Sequence, residues 1–142
     1  MNSNKINLYF DMDGVIADFY AIRNAVERFR EEENFFYNLP PMNSNAFKQL
    51  LNNARYNVFI ISASPHAKAD NDKRKWLRKY YPQLKEENIV IMRIGQKKVD
   101  YMLTKNGILF DDYGKNCREW LSVEGNKSIK VDRPLEELID LI

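Results

Sequence analysis

Ile6-Asn7-Leu8-Tyr9-Phe10-Asp11-Met12-Asp13-Gly14-Val15-Ile16-Ala17-Asp18 is the stretch on which the reading of this chain turns. Its first five residues form an apolar run that reads as a short buried strand. Two carboxylates, two positions apart, follow directly, and then a glycine. Asp is disfavoured in strands, and a buried carboxylate without a partner is costly. A chain keeps such residues at a strand end to hold a metal or do chemistry, or simply to make a turn. The stretch alone does not separate these readings; the strands that follow do.

Working outward, Phe19, Ile22, Val26 and Phe29 recur at helical spacing and predict a helix ending near Asn34. Asn38 to Asn45 is a loop by its Pro and Asn content. Ala46, Leu50, Leu51 and Ala54 mark a second helix, and Val58-Phe59-Ile60-Ile61 a buried strand. Ser64-Pro65 is expected to open the next helix, Ser as N-cap and Pro at the first helical position. That helix carries Trp76, Leu77 and Tyr80 and stops before Pro82. Ile89 to Met92 is a third strand, and Val99, Met102 and Leu103 suggest a short helix ended by Asn106-Gly107. Ile108-Leu109-Phe110 is a fourth strand, followed by a short helix with Cys117, Trp120 and Leu121. Ser128 to Val131 reads as a fifth, edge strand, and Pro134 as the start of a last helix.

Strands alternating with helices predict an α/β fold: a Rossmann-like parallel sheet with helices on both faces. Ligands of such sheets bind beyond the carboxyl ends of the strands. The residues at those ends are Asp11 and Asp13, Ser62 and Ser64, and Asp111 and Asp112. One polar residue after one strand is common by chance; the same pattern at three strands is not.

Four carboxylates brought together repel, and one takes up a proton unless a cation intervenes. A hard oxygen cluster suits Mg²⁺. With one His and one Cys in the chain, zinc is disfavoured. Asp11, which directly ends the strand, is the better nucleophile, and Asp13 a general acid and then base. A hydroxyl after strand two would bind phosphoryl oxygens, aided by the N-terminus of the helix that follows. A Lys is expected to balance the charge, and Lys97-Lys98 follow strand three.

These motifs resemble the haloacid dehalogenase (HAD) superfamily of phosphohydrolases. The matching segments are Asp11-Met12-Asp13-Gly14-Val15, Phe59-Ile60-Ile61-Ser62, Lys98 and Ile108-Leu109-Phe110-Asp111-Asp112, in the family's order and spanning about 100 residues. Within it the chain is most similar to the 5′(3′)-deoxyribonucleotidases, through Asp11 to Phe19, Ile61 to Pro65 and Phe110 to Asn116. The resemblance implies a HAD-like core and a Mg²⁺-dependent phosphatase acting on nucleoside monophosphates through an aspartyl-phosphate. Asp11 would be the nucleophile and Asp13 the acid and base. The metal ligands would be Asp11, the Asp13 carbonyl and the Asp111/Asp112 pair, with the direct ligand of that pair left open. Some members have Thr-Ser-Pro after strand two, where this chain has Ala63-Ser64-Pro65. Aligning on strand length makes Ser62 the phosphate-binding hydroxyl, Ser64 a second contact, and Lys98 rather than Lys97 the lysine. Rival expectations are a HAD phosphatase for another small ester, such as a sugar phosphate, and a non-catalytic nucleotide- or protein-binding member. The intact carboxylate and lysine set argues against the last.

About 45 residues separate strands one and two, far more than a crossover needs. Residues about 19–55 are therefore expected to form a small helical cap on what is otherwise one domain over residues 1–142. By the resemblance, Phe19 stacks on the substrate base, with Phe35 and Phe36 as further candidates for the pocket.

At 142 residues, 44% apolar and 30% charged, the chain has an ordinary globular composition. A net charge of +2 gives no footprint for a nucleic-acid polymer. Cys117 is the single cysteine, which excludes an intrachain disulfide and fits a cytoplasmic location. No apolar run approaches the roughly 18 residues that span a membrane, and the polar N-terminus lacks the core of a signal peptide. By the resemblance, the expected partner is a small-molecule phosphate ester such as a nucleoside monophosphate, rather than a nucleic-acid polymer or a membrane. The basic segment with Lys73, Arg74, Lys75, Arg78 and Lys79 is read as a solvated helix face, His66 as a surface residue at a helix start, and Cys117 as core.

Overall fold

A computed structural model describes residues 4–142. The polar start read above as unlike a signal peptide falls mainly on residues 1–3, outside the described residues. Five strands, β1 (Ile6–Phe10), β2 (Tyr56–Ser64), β3 (Ile89–Arg93), β4 (Ile108–Asp111) and β5 (Lys127–Lys130), form one sheet in the order β3-β2-β1-β4-β5. Every neighbouring pair is parallel. Leu8, Tyr9 and Phe10 are fully buried in the central strand, as expected where both faces of a parallel sheet are covered.

Side chains alternate across the sheet. Leu8 and Phe10 face the larger core, with Phe47, Ile60, Trp76 and Phe110. Tyr9 faces the smaller one, with Phe59, Ile61, Leu109 and Trp120. The helices α2 (Ser44–Leu51) and α3 (Ala67–Tyr80) supply residues to the first core, and α4 (Gly114–Trp120) to the second. Both indoles bury fully because each finds a carbonyl: Trp76 Nε1 donates to Leu39 at 2.8 Å and Trp120 Nε1 to Gly107 at 3.0 Å. The parallel α/β expectation therefore holds, with the fifth strand at the edge beside β4.

Several boundaries differ from the sequence reading. The helix expected over 19–34 is a 3₁₀ turn at Phe19–Ala21 and a single turn, α1 (Ala25–Arg28). Asn24 and Asn34 take left-handed φ values of 58° and 60°, which break a helical path. The aromatic spacing serves a cavity wall instead, as described below. Ser64 ends β2 rather than capping α3. The cap is His66, whose Nδ1 accepts from the Ala69 amide at 3.2 Å while Nε2 bonds the Arg30 carbonyl at 2.8 Å. The last helix is two 3₁₀ turns, Leu135–Glu137 and Ile139–Leu141; so short a segment does not repay α-helix nucleation.

The segment between β1 and α2 is pinched at its base. The Asp18 amide donates to the Pro40 carbonyl at 2.8 Å, and the Met42 amide to Ile16 at 2.8 Å. Ala17 forms an antiparallel bridge to Pro41. The chain leaves and returns through one narrow neck.

Candidate active site

Register brings the strand ends together. Phe10 pairs with Ile60 on one side and Phe110 on the other, so Asp11 emerges between β2 and Asp111. The Asp11 amide continues the ladder, donating to the Phe110 carbonyl at 3.0 Å. After Asp11 the chain turns tightly: Met12 O accepts the amides of Val15, Ile16 and Ala17, and Gly14 N donates to Ala17 O at 2.8 Å. Gly14 lies at φ 82°, and a Cβ there would collide with Asp112 Oδ2. Glycine is needed on both counts. We expect Gly14→Ala to lower the melting temperature by about 5 °C or more, read by thermal unfolding; an unchanged melting temperature would show that Asp112 moves aside freely.

One carboxylate oxygen from each of Asp11, Asp111 and Asp112 lies within 4.8 Å of the others. Lys98 sits among them, 4% exposed, its Nζ 3.0 Å from Asp11 Oδ1 and 2.7 Å from Asp111 Oδ2. Burial pushes its ammonium down, but the charges of Asp11 and Asp111 outweigh this and raise it overall. Lys97, beside it, is exposed. The two carboxylates at the end of β4 differ. Asp111 is fully buried: Oδ1 accepts from the Tyr113 amide, and Oδ2 from Lys98 and from Asn116 Nδ2 at 3.0 Å. Asp112 is half-buried and lines the cavity. Burial, then the charges of Asp11 and Asp111, push its carboxyl up to about 7. Burial and Asp11 also raise Asp111, with Lys98 and the Tyr113 amide opposing.

Asp13 is held from the other side. Lys73 Nζ, with no exposed surface, lies 2.9 Å from Asp13 Oδ2, 2.8 Å from Ser62 Oγ and 2.8 Å from the Ala63 carbonyl. Asp13 Oδ1 is buried and has no hydrogen-bond partner among the described residues. Lys73 was expected on a solvated face, and the structure overturns that. Ala69, Lys73, Trp76 and Leu77 form the buried stripe of α3. A lysine inside an apolar stripe at helical spacing is the signal that marks it.

These groups open on a cavity of about 410 Å³. Its floor holds Asp11, Asp13, Lys98, Asp112 and Asn116, and its walls Phe19, Phe29, Phe36, Ala63 and Ile94, with Tyr20 and Tyr113 exposed at the mouth. Two roomier surface grooves, of about 680 and 590 Å³, hold none of the strand-end carboxylates. Of the aromatic residues singled out in the sequence, Phe19 and Phe36 line the cavity. Phe35 lies behind them, its ring centre 5.5 Å from Phe19 and 5.2 Å from Phe36. Ser64 is fully buried, its Oγ donating to the His66 carbonyl at 3.1 Å, and does not line the cavity. Ser62 is fully buried too and reaches the site through Lys73. Sequence reasoning also passed over Asn116 and Tyr113, whose value lies in fixing Asp111.

No curated protein sequence matches the chain. A solved structure titled "Structure of Pnkp1/Rnl/Hen1 complex" is similar in fold, with a TM-score of 0.64 at 15% identity. The match covers 92% of this chain and 47% of that one, so the chain spans about half the length of that relative. Among the described residues no helix is long and apolar enough to cross a membrane. The model of the family described as 5′ nucleotidase, deoxy (pyrimidine), cytosolic type C protein matches residues 21–139. That span takes in β2 to β5, Lys73, Lys98 and the Asp111-Asp112 pair, and the chain belongs to this family of HAD-superfamily nucleotidases, which are phosphoric monoester hydrolases.

Proposed function

We propose that the chain hydrolyses deoxyribonucleoside monophosphates, pyrimidine ones foremost, through an aspartyl-phosphate on Asp11. The observation that carries this reading is a cavity holding two differently prepared carboxylates under aromatic walls. Asp11 is braced at one oxygen by Lys98, while Asp13 is tied at Oδ2 and has a buried, unpartnered Oδ1. The family's name supplies the deoxypyrimidine substrate and agrees with a cytosolic setting.

The residues present fit a hard divalent cation. Three carboxylate oxygens crowd within 4.8 Å, and Asp112 holds its proton unusually tightly in that company. Oxygen-only donors of this kind suit Mg²⁺. Asp11, the Asp13 carbonyl and the Asp111/Asp112 pair would hold it, with Asp112 as the direct ligand of the pair. Both oxygens of Asp111 are already taken by donors, whereas Asp112 faces the cavity. When bound, the cation neutralises the carboxylates and the phosphoryl oxygens.

The chain's own residues account for the steps. An Asp11 oxygen attacks phosphorus, and the bond to the nucleoside oxygen breaks. Asp13, its carboxylate held at Oδ2 by Lys73, gives a proton to that leaving oxygen. Water then enters, Asp13 takes a proton from it, and hydrolysis of the acyl phosphate frees Asp11 and inorganic phosphate. Lys98 offsets the charge on Asp11, and Ser62 helps hold Lys73 against Asp13. The insertion over residues about 19–55 acts as the cap, with Phe19 as a wall of the base pocket, Phe36 beside it and Phe35 as their support.

A panel of phosphomonoesters tests this. We expect phosphate release from dUMP and dTMP to exceed that from glucose 6-phosphate at least tenfold in kcat/KM, and to vanish with EDTA and return with Mg²⁺. Faster turnover of the sugar phosphate would move the substrate class to small sugar esters. No turnover of any ester, with nucleotide binding intact, would make this a non-catalytic member.

A further inference from the structure

Lys73 has nothing left to offer a substrate. An ammonium carries three N–H donors, and Asp13 Oδ2, Ser62 Oγ and the Ala63 carbonyl take all three. Its remaining exposure is closed by an aromatic ring: the centre of Phe36 lies 4.4 Å from Nζ. Phe36 is 4% exposed and held edge-on by Phe35, at 5.2 Å and 86°, and by Phe29, at 6.3 Å and 70°. A ring face over a desolvated cation is attractive, and Lys73 has no exposed side-chain surface.

We infer that Phe36 is a positioning residue for the acid–base step: its ring caps Lys73, and so fixes the Lys73–Asp13–Ser62 unit that holds the Asp13 carboxylate in place. Phe36 comes from the insertion, whereas Lys73 comes from α3 on the sheet. The contact therefore joins the substrate-covering segment to the proton-transfer group. The inference rests on the reading of Asp13 as acid and base.

The rival role for Phe36 is a base-stacking wall, and the two roles leave different kinetic marks. A wall raises KM for nucleotides. A cap on Lys73 lowers kcat and leaves KM nearly alone. For Phe36→Leu, which keeps an apolar side chain but removes the ring face, we expect kcat on dUMP to fall about tenfold, with KM within about twofold. In a Lys73→Met background the same change should cost less than about twofold, because the cation it acts through is gone. Fluorinated phenylalanines at position 36 keep the ring's shape while draining charge from its face, and should lower kcat stepwise with fluorine count. That series keeps the test open if Phe36→Leu folds poorly.

A rise in KM with kcat unchanged, or a Phe36→Leu loss as large in the Lys73→Met background, would overturn the inference and leave the nucleotidase reading standing. A kcat indifferent to fluorination would overturn it as well. A wild-type protein that turns over no phosphomonoester would overturn both.

Discussion

Asp112→Asn is expected to cut Mg²⁺-dependent phosphate release by at least about 10³-fold while making the metal-free protein more stable at pH 7.5. The two effects share one cause. Asp112 is pushed up to about 7 by burial and by the charges of Asp11 and Asp111, whereas an ordinary Asp titrates near 4. Between about pH 4 and 7 the folded protein keeps a proton that the unfolded chain has released. Stability therefore falls as pH rises through that window. Above 7 the free protein holds Asp112 ionised against like charges. Asn removes the charge and keeps the shape. Because Asp112 is only half-buried, solvent screening trims the gain to about 1 kcal/mol, or about 3 °C at this chain length. Thermal melts in EDTA at pH 7.5 and 5 check the sign: the gain should be present at 7.5 and shrink at 5. A variant that is less stable at pH 7.5, or that hydrolyses dUMP as wild type does, would refute the assignment of Asp112 as the site's open carboxylate.

Lys73→Met carries the second large effect. Met matches the stem of Lys but leaves Asp13, Ser62 and the Ala63 carbonyl without their shared donor. Removing one partner of a buried ion pair costs about 3–5 kcal/mol, and the partly exposed Asp13 places this case at the lower end. We expect kcat to fall about 10²- to 10³-fold, because Asp13 loses the tie that holds its carboxylate in place for proton transfer. Lys73→Arg should not rescue it, since a planar fork cannot fill a three-donor pocket built for an ammonium. Denaturant unfolding and dUMP kinetics measure the two halves. A variant with wild-type kcat would leave Lys73 a purely structural ion.

The sheet was legible because its strands are short, apolar and β-branched, and because each ends on a polar residue. Asp11, Asp13, Lys98, Asp111 and Asp112 share a neighbourhood for that reason: strand ends of a parallel sheet converge whatever the connecting segments do. Where side chains point is another matter. Lys73 was concealed by its company, five other basic residues on one helix, though its place in the buried stripe gave it away. Ser64 sits at the right strand end but turns to the His66 carbonyl, which no local pattern distinguishes from turning to a ligand. The helix expected over 19–34 failed because periodicity records which residues are buried, not what buries them. Phe19, Phe29 and Phe36 meet across irregular chain.

The narrow neck at Ile16–Asp18 and Pro40–Met42 bears on how such a protein can change. The sheet senses only that the two ends meet, not how much chain lies beyond them. Doubling a loop whose ends are already joined adds only about 0.6 kcal/mol of closure entropy. The segment can lengthen, shrink or trade aromatic residues other than Phe36 under selection for a new substrate while Asp11 and Asp13 keep their places. Chemistry and taste are inherited on two stretches of one chain that touch at Phe36 and Lys73, and the few hydrogen bonds at the neck keep the rest apart.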